Sequence, residues 1–264
     1  MSERGEPGLE RHERERGRKD FAPPEAWSQL RENAARFGVT LEEEQILRLQ
    51  KYLALLCEWN QRFNLTAIEH PEEVLTKHFL DSLTCALAVD LHGCNSLLDI
   101  GSGAGFPGLV LAVAFPHLHV TALDSIAKRA GFLRRTAEAL DLENVRVVHA
   151  RAEEVGRPGG DPPLRERFDL VTARAVARMN VLAEWLAPCA RVGGSVLFMK
   201  GPQIEEELAD ASRALQTLGL GEPRVRKLVL PGTEAGRALV VLPKLRPTPP
   251  LYPRSTPEAR RRPL

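Results

Sequence analysis

Two patterns of hydrophobic and polar residues divide the chain near residue 93. Before that point, apolar residues recur every three or four positions, the spacing that turns one face of a helix toward a core. This spacing predicts an amphipathic helix over residues 41–59, with Thr40 and Glu43 placed as a capping box at its start. A second helix is predicted to begin at Pro71, because the fixed φ of proline suits the first helical turn. The apolar positions of the first helix are Ile46, Leu49, Leu53 and Leu56.

From Ser96 onward, short β-type runs alternate with helical stretches. The predicted strands are residues 97–100, 120–124, 145–149, 168–173, 194–200, 224–230 and 237–243, and the predicted helices are residues 108–115, 128–140, 180–190 and 204–218. This alternation predicts an α/β fold, a doubly wound and mostly parallel sheet with helices on both faces. Residues 231–236 are too few for a parallel crossover, so one edge of the sheet is predicted to be antiparallel.

These patterns predict four regions along the 264 residues. Residues 1–22 are polar and charged with little to bury, and we expect them to be disordered. Residues 23–92 are predicted to form a helical N-terminal module, and residues 93–244 the α/β domain. Residues 245–264 are rich in proline and arginine and are predicted to be an extended basic tail.

The charge is unevenly distributed along the chain. The net charge is only +1, but from Glu222 to the C-terminus ten Lys or Arg residues oppose three Glu. A basic end on an otherwise acidic chain points to a polyanionic partner. A solvated basic tail with no partner is an equally good interpretation.

Composition and patterning exclude several classes of protein. The longest apolar run, residues 109–115, is far shorter than the roughly 20 residues of a membrane helix. The charged N-terminus has no apolar stretch of the kind found in secretory signals, so we expect a cytoplasmic protein with no membrane contact. The four cysteines are scattered without a CxxC pair, which argues against a zinc site and a disulfide framework. We therefore expect no metal.

A glycine-rich turn follows the first predicted strand. Gly101, Gly103 and Gly105 lie between a strand and a helix, where doubly wound sheets bind nucleotides outside the carboxyl ends of their strands. The pyrophosphate fingerprint G-x-G-x-x-G fails, because its last position falls on Phe106. The turn instead suits a cofactor without phosphate, a nucleoside bearing an amino acid. Asp124 ends the next strand, the usual place for a carboxylate that binds two ribose hydroxyls.

Two further predicted strands end in polar residues at the same edge of the sheet. Ala152 and Glu153 follow the third strand, and the Glu153 carboxylate can accept from an adenine amino group. Arg174 follows the fourth strand and can bind a carboxylate or phosphate with two parallel hydrogen bonds. Taken alone, a surface ion pair or a helix cap is the commoner explanation for each of these residues.

Seven blocks of sequence resemble one known family in order and spacing, from about Leu41 to Leu242. They are WNQRFNLT at 59–66, HFLDS at 78–82, DIGSGAGFPG at 99–108, LDS at 123–125 with KR at 128–129 and FL at 132–133, AEE at 152–154, RA at 174–175 and KG at 200–201. The chain is similar in these blocks to the RsmG (GidB) family. Its members are bacterial enzymes that methylate N7 of a guanine in 16S rRNA of the small ribosomal subunit.

The resemblance implies that S-adenosylmethionine is the methyl donor and that residues 93–244 are its binding domain. The donor is expected to contact Gly101 and Phe106, the loop Asp124, Ser125 and Ile126, Ala152 with Glu153, and Arg174. The residues alone had already indicated Gly101, Asp124, Glu153 and Arg174, whereas Phe106 is added only by the resemblance. No proton-transfer residue is expected, because guanine N7 carries a free lone pair and no proton.

The substrate implied by the resemblance is 16S rRNA or the 30S particle, bound by a protein that we expect to be a monomer. The candidates for the RNA-binding face are Arg62, Lys77, His78, Lys128, Arg129, Arg134, Arg135 and Lys200. Ordinary exposed helix charge is the alternative for Lys128 and Arg129. Asn64, His78 and Asp81 either shape a guanine pocket or attach the helical module to the sheet, and the structural role is slightly favoured for Asp81.

Two other functions remain as alternatives. The first is a nicotinamide-dependent oxidoreductase on the same sheet, which Phe106 in the place of the third fingerprint glycine disfavours. The second is a non-catalytic RNA-binding ribosome assembly factor with a vestigial cofactor fold. The intact glycines, Asp124 and Arg174 disfavour this second function.

Overall fold

The computed structural model describes residues 22–174 and 177–264. The predicted disorder of residues 1–22 therefore lies, except for Ala22, outside the described residues. Ala175, part of one of the family-like blocks, also lies outside them.

The N-terminal module is helical, as its periodicity predicts. Its elements are α1 (Pro24–Arg36), α2 (Glu43–Phe63), α3 (Pro71–Val74), a π-helical segment (Leu75–Leu80), α4 (Asp81–Leu83) and a 3₁₀ turn (Thr84–Leu87). The predicted start of α3 at Pro71 is confirmed. The predicted capping box is wrong: Glu42 is the N-cap and its N–H donates to Gln45 Oε1 at 2.7 Å, so the cap lies two residues later than expected. An apolar period does not distinguish these neighbouring polar residues.

The α/β domain contains a seven-stranded sheet with the order β3-β2-β1-β4-β5-β7-β6. Its strands are β1 (Ser96–Ile100), β2 (His119–Asp124), β3 (Val145–His149), β4 (Phe168–Arg174), β5 (Ala190–Lys200), β6 (Arg224–Val229) and β7 (Gly236–Pro243). Strands β1 to β5 pair in parallel, whereas β7 pairs antiparallel with β5 and β6. The predicted α/β class with one antiparallel edge is confirmed.

The order of the strands in the sheet determines where the candidate site lies. The chain moves outward through β1, β2 and β3 and then returns to the other side of β1 as β4, so the order reverses between β1 and β4. At such a switch point the loops after the two strands diverge and leave a crevice outside their carboxyl ends. The loop after β1, Asp124 at the end of β2 and Arg174 at the end of β4 all lie at this edge.

Alternate strand residues pack into different cores on the two faces of the sheet. In β1, Leu97 belongs to one core and Leu98 to the other, as the two-residue period of a strand requires. The first core includes Tyr52 and Phe79 of the helical module, so this module is packed against the sheet. The helices of the domain are α5 (Gly108–Ala114), α6 (Ala127–Ala139), α7 (Ala152–Gly156), α8 (Met179–Leu186) and α9 (Glu205–Thr217).

The end of the chain departs from the predicted extended tail. Residues Thr256–Arg261 form a short helix, α10, and Lys244 and Thr248 are buried. Arg165 binds this segment through the carbonyl oxygens of Tyr252, at 2.8 Å, and Thr248. Sequence patterning missed this docking because most of the anchors are backbone carbonyls, which every residue carries. Within the described residues, no helix has the length and apolar character needed to span a bilayer.

Candidate functional site

The glycine-rich turn after β1 is held by the next strand. The N–H groups of Gly101 and Ser102 donate to the carbonyl oxygen of Leu123 at 2.8 and 3.0 Å. Gly101, Gly103 and Gly105 have φ values of 71°, 58° and 95°, a region that residues with a Cβ adopt at a cost. Glycine is therefore favoured at all three positions, and the turn exposes backbone to the crevice.

Gly105 is also required by close packing from the helical module. A Cβ at this position lies 2.7 Å from Leu109 Cδ1 and is even closer to the Tyr52 hydroxyl. That hydroxyl donates a hydrogen bond to the carbonyl oxygen of Ala104. Tyr52 of α2 therefore fixes the height of the turn above the sheet, which connects the helical module to the site.

Asp124 faces the same turn from the end of β2. Its Oδ2 accepts from the N–H of Gly103 at 2.9 Å and its Oδ1 accepts from the N–H of Ile126 at 2.8 Å. Arg129 Nη1 lies 4.0 Å from Oδ2. The carboxylate is only 2% exposed, so its charge is held in place by backbone donors at the carboxyl edge. Each carboxylate oxygen can still accept one further hydrogen bond.

Two cavities meet at the turn. The first, of about 370 Å³, includes Gly101, Gly103, Phe106, Asp124, Ser125 and Arg174 in its lining. The second, of about 140 Å³, includes Leu123, Ala152, Glu153, Trp185 and Thr256. Gly101 and Ser125 line both, so the two cavities are parts of one crevice with a carboxylate in each. The larger one is in the size range of small-molecule sites.

Of the predicted cofactor residues, Gly105 and Ile126 line neither cavity and support the turn and the Asp124 carboxylate from behind.

Arg174 is engaged within the protein. Its Nη1 donates to Asp81 Oδ2 at 3.1 Å, its Nη2 to His78 Nδ1 at 3.0 Å, and its guanidinium carbon lies 5.0 Å from the centroid of the Phe106 ring. The same Nη1 lies 3.3 Å from the carbonyl oxygen of Lys77. Arg174 therefore forms a rigid wall between the helical module and the turn, rather than a free fork for an anion.

His78 is a neutral ring stacked on Phe106, with 4.5 Å between centroids. Because a guanidinium only donates, His78 Nδ1 accepts from Arg174, and Nε2 carries the proton that it donates to Thr66 Oγ1 at 2.7 Å. Burial and the positive charge of Arg174 lower the pKa of His78 to about 3. The His78 ring therefore gives the crevice a flat surface and one N–H donor, but no charge.

Asp99 lies beneath the turn and was not predicted as a site residue. Its Oδ2 accepts from the N–H of Gly108 at 3.0 Å, and its buried Oδ1 has no hydrogen-bond partner among the described residues. Burial raises the pKa of Asp99 to about 6. The sequence signal for this residue was a carboxyl group at the end of an apolar strand. Asp99 was treated only as part of the glycine-rich block and was given no role of its own.

Comparison with known proteins identifies the family. The family model for rRNA small subunit methyltransferase G (GidB) matches residues 45–234. The chain belongs to this family. Ribosomal RNA small subunit methyltransferase G of Exiguobacterium sp. is 48% identical over 227 residues, which are 86% of this chain and 94% of that protein. The protein of the same name from Roseiflexus castenholzii is 46% identical over 231 residues, 88% of this chain and 97% of its own length. The resemblance to RsmG is thus confirmed.

A solved structure agrees with the fold. Cofactor-bound Rv0187 from MTB is similar with a TM-score of 0.51 and 24% sequence identity, over 75% of this chain and 90% of that one. This likeness concerns the fold. It covers three quarters of the chain, which is more than the α/β domain of residues 93–244 contains.

The predicted RNA-binding residues divide into two groups in this RsmG-family protein. Arg62, Lys128, Arg134 and Arg135 are exposed on α2 and α6, and Arg129 is half-buried beside Asp124. Lys128 Nζ lies 5.4 Å from the centroid of the Phe63 ring, which places the end of α2 beside the start of α6.

The other predicted cations are paired internally. Lys200 Nζ donates to Glu207 Oε1 and to the carbonyl oxygen of Ala177, both at 2.6 Å, and its side chain is 10% exposed. Lys77 Nζ lies 2.7 Å from Glu73 Oε1. Both lysines nevertheless line a cavity of about 350 Å³ next to the crevice, together with His78, Arg174 and Arg237.

A wider cleft of about 840 Å³ at the start of α9 has an acidic lining. It includes four acidic residues and two basic ones: Glu205, Glu206, Glu207 and Asp210 with Arg178 and Lys200. Acidic walls repel a polyanion, so this cleft does not suit nucleic acid despite its size. In the described residues, no group of three or more His, Cys, Asp or Glu side chains is arranged to hold a metal ion.

Proposed function

We propose that this RsmG-family protein transfers the methyl group of S-adenosylmethionine to N7 of a guanine in 16S rRNA of the small ribosomal subunit. The observation that carries the proposal is the match of the RsmG family model over residues 45–234, a segment that contains the whole glycine-rich turn and Asp124. A ribosomal substrate also implies a cytoplasmic location.

The crevice fits the proposed cofactor in size and in donor set. Asp124, with two oxygens already oriented by backbone N–H groups, would bind the ribose hydroxyls. The exposed glycine backbone and the Phe106 face would pack against the amino-acid part, and the smaller cavity with Glu153 would hold the adenine. When bound, the cofactor supplies a methyl group activated by its sulfonium charge.

The protein's own contribution is alignment. Guanine N7 has a lone pair and no proton, so the attack requires no general base, and we assign none. The His78 ring in the crevice is neutral and already donates its proton to Thr66, which agrees with a positioning role. Holding two reactants in the correct orientation can supply about 7 to 11 kcal/mol of the barrier.

The acceptor guanine is proposed to enter through the cavity of about 350 Å³. His78 and Arg174 line both this cavity and the cofactor crevice, so the two cavities adjoin at these side chains and a base held in the first lies next to the cofactor. Lys77, Lys200 and Arg237 give the cavity a positive lining that suits a phosphate-bearing nucleotide. N7 lies on the Hoogsteen edge, which a protein can reach where the base is unstacked.

The remaining rRNA is proposed to bind along α6 and the end of α2. Arg62, Lys128, Arg134 and Arg135 are exposed there, and Arg129 connects this surface to Asp124. The basic stretch at the C-terminus is a second candidate for phosphate contacts, because Arg260 and Arg261 lie in the last turn of α10.

The deciding experiment is transfer of labelled methyl from S-adenosylmethionine to small-subunit rRNA. Unmodified naked 16S rRNA and unmodified 30S particles are tested in parallel, followed by mapping of the modified base. The expected result is one 7-methylguanine at one position. Binding of RNA without methyl transfer would favour the assembly-factor alternative, and binding of a nicotinamide cofactor would favour the oxidoreductase.

A further inference from the structure

The end of the chain forms part of the wall of the smaller cavity. Arg254, just before α10, binds Glu184 of α8, whose side chain is fully buried. Its Nε and backbone N–H donate to Glu184 Oε1 at 2.7 and 2.9 Å, and its Nη2 donates to Oε2 at 2.7 Å. A buried carboxylate bound by three donors fixes the position of α10 against α8.

This anchored helix directs the carboxylate of Glu153. Thr256, the first residue of α10, donates from Oγ1 to Glu153 Oε1 at 2.7 Å. Arg151 Nη1 lies 3.9 Å from the same oxygen. Among the described residues, both of these partners contact Oε1, which leaves Oε2 to accept a hydrogen bond from a ligand.

Trp185 lines the same cavity. It is 5% exposed, and its buried Nε1–H has no hydrogen-bond partner within residues 22–174 and 177–264. The guanidinium carbon of Arg260 lies 5.9 Å from the centroid of its ring, so α10 covers the indole. A buried N–H without a partner is unfavourable, and a ring nitrogen of a purine is an acceptor that can satisfy it.

We propose that α10 and Trp185 form the outer wall of the adenine end of the cofactor site, where Thr256 positions Glu153 to select a purine with an exocyclic amino group. In this arrangement Glu153 Oε2 accepts from the amino group and Trp185 Nε1–H donates to a ring nitrogen. The RsmG family model ends at residue 234, so Thr256 lies outside the matched segment. The inference rests on the proposed function, because it takes the crevice as an S-adenosylmethionine site.

The test measures binding of two probes by isothermal titration calorimetry. S-adenosyl-L-homocysteine carries the exocyclic amino group, whereas S-inosyl-L-homocysteine has a carbonyl oxygen in its place. Thr256→Val removes the hydroxyl, Thr256→Ser retains it, and Trp185→Phe removes only the indole donor. Thr217→Val is the matched control, because its hydroxyl donates to the Arg213 carbonyl oxygen at the exposed end of α9.

Thr256→Val is expected to weaken binding of the adenosyl probe about 5-fold, the value of one hydrogen bond, and to change binding of the inosyl probe less than 2-fold. Thr256→Ser and Thr217→Val are expected to bind both probes like the wild type. Trp185→Phe is expected to weaken both probes, because both purines have ring nitrogens that accept.

Two results would overturn the inference. One is unchanged binding of the adenosyl probe by Thr256→Val. The other is an equal loss of both probes in Thr256→Val and Thr256→Ser, which would show that α10 matters only for folding. If the wild type transfers methyl to rRNA while either result is found, the proposed function stands and only this inference fails. A wild type that binds neither probe contradicts both proposals.

Discussion

Arg174 at the end of β4 and Asp81 in α4 form an ion pair with 3.1 Å between Nη1 and Oδ2. Arg237 of β7 donates to the other oxygen of the same carboxylate at 2.8 Å. Asp81 is 2% exposed, so one buried negative charge holds two guanidinium groups. This pairing attaches the helical module to the sheet, and it supports the structural role that the sequence slightly favours for Asp81.

Asp81→Asn is expected to destabilise the protein by about 3 to 5 kcal/mol, the usual effect of removing one partner from a buried ion pair. The free energy of unfolding is measured by urea denaturation. Glu138→Gln serves as the control, because the ion pair of Glu138 with Arg135 is exposed and contributes less than about 1 kcal/mol. A loss for Asp81→Asn no larger than that of the control would contradict this account.

Gly105→Ala is expected to abolish cofactor binding, because the added Cβ collides with Tyr52 and Leu109 at a φ of 95°. To relieve the collision the turn must move away from α2, and the N–H of Gly103 must then leave Asp124. Binding of S-adenosyl-L-homocysteine, measured by calorimetry, is expected to fall at least 100-fold.

The control for this substitution is Gly131→Ala on α6. A Cβ at Gly131 has no atom within 4 Å, and alanine is favoured over glycine inside a helix by about 1 kcal/mol. Gly131→Ala should therefore bind the probe normally and unfold at a slightly higher urea concentration. Normal binding by Gly105→Ala would show that the turn adapts without the contacts described above.

Sequence periodicity was sufficient to predict the helices and strands that bury one face. The strand at Val145–His149 is found with its predicted bounds, and both late β runs form the antiparallel edge. Periodicity left α1 (Pro24–Arg36) without bounds, and it missed two short helices, α7 (Ala152–Gly156) and α10 (Thr256–Arg261). Helices of five or six residues contain too few turns to show a period.

The sequence indicated which residues lie at the carboxyl edge, but not which of them bind one another. Gly101 and Asp124 follow from the position of glycines and a carboxylate after strands, a local signal. The partners of Arg174 and Glu153 are 93 and 103 residues away, at Asp81 and Thr256. Such pairs depend on how the elements pack, and no spacing in one sequence encodes them.

The α6 surface predicts a salt-dependent effect on RNA binding. Lys128→Gln with Arg134→Gln is expected to weaken binding of small-subunit rRNA and to reduce the slope of log K against log salt by up to about 0.7 to 0.9 for each lost phosphate contact. Binding is measured by filter retention between about 50 and 200 mM salt. Arg48→Gln is the control, because its guanidinium is paired with Glu44 at 2.7 Å. An unchanged slope in the double variant would place the RNA elsewhere on the surface.

Asp99 predicts an unusual dependence of stability on pH. Its pKa is about 6 in the folded protein and about 4 in an unfolded chain, so the folded state binds this proton more tightly. Through Asp99, the free energy of unfolding therefore decreases as pH rises from about 4 through 6, by about 2 kcal/mol between pH 4.5 and 7. Asp99→Asn removes this contribution, and urea denaturation at the two pH values should show a stronger loss of stability in acid than in the wild type. An unaltered pH dependence would mean that Asp99 is not protonated near pH 6.

The lowered pKa of His78 predicts the opposite dependence of stability on pH between pH 4.5 and 7. Its pKa is about 3 in the folded protein and about 6.5 in an unfolded chain, so the unfolded state takes up the proton first as pH falls. Stability attributed to His78 is present above pH 6.5 and declines by about 2 to 3 kcal/mol on lowering the pH from 7 to 4.5. His78→Asn, which retains an acceptor for Arg174, should lose less stability in acid than the wild type.

Because the contributions of Asp99 and His78 have opposite signs and similar size, they nearly cancel in the wild type. The variant that combines Asp99→Asn with His78→Asn should therefore regain the wild-type difference in unfolding free energy between pH 4.5 and 7. Each single variant should depart from that difference, in opposite directions. If both single variants depart from the wild-type difference in the same direction, one of the two side chains ionises in the folded protein in a pH range other than that expected from its burial and contacts.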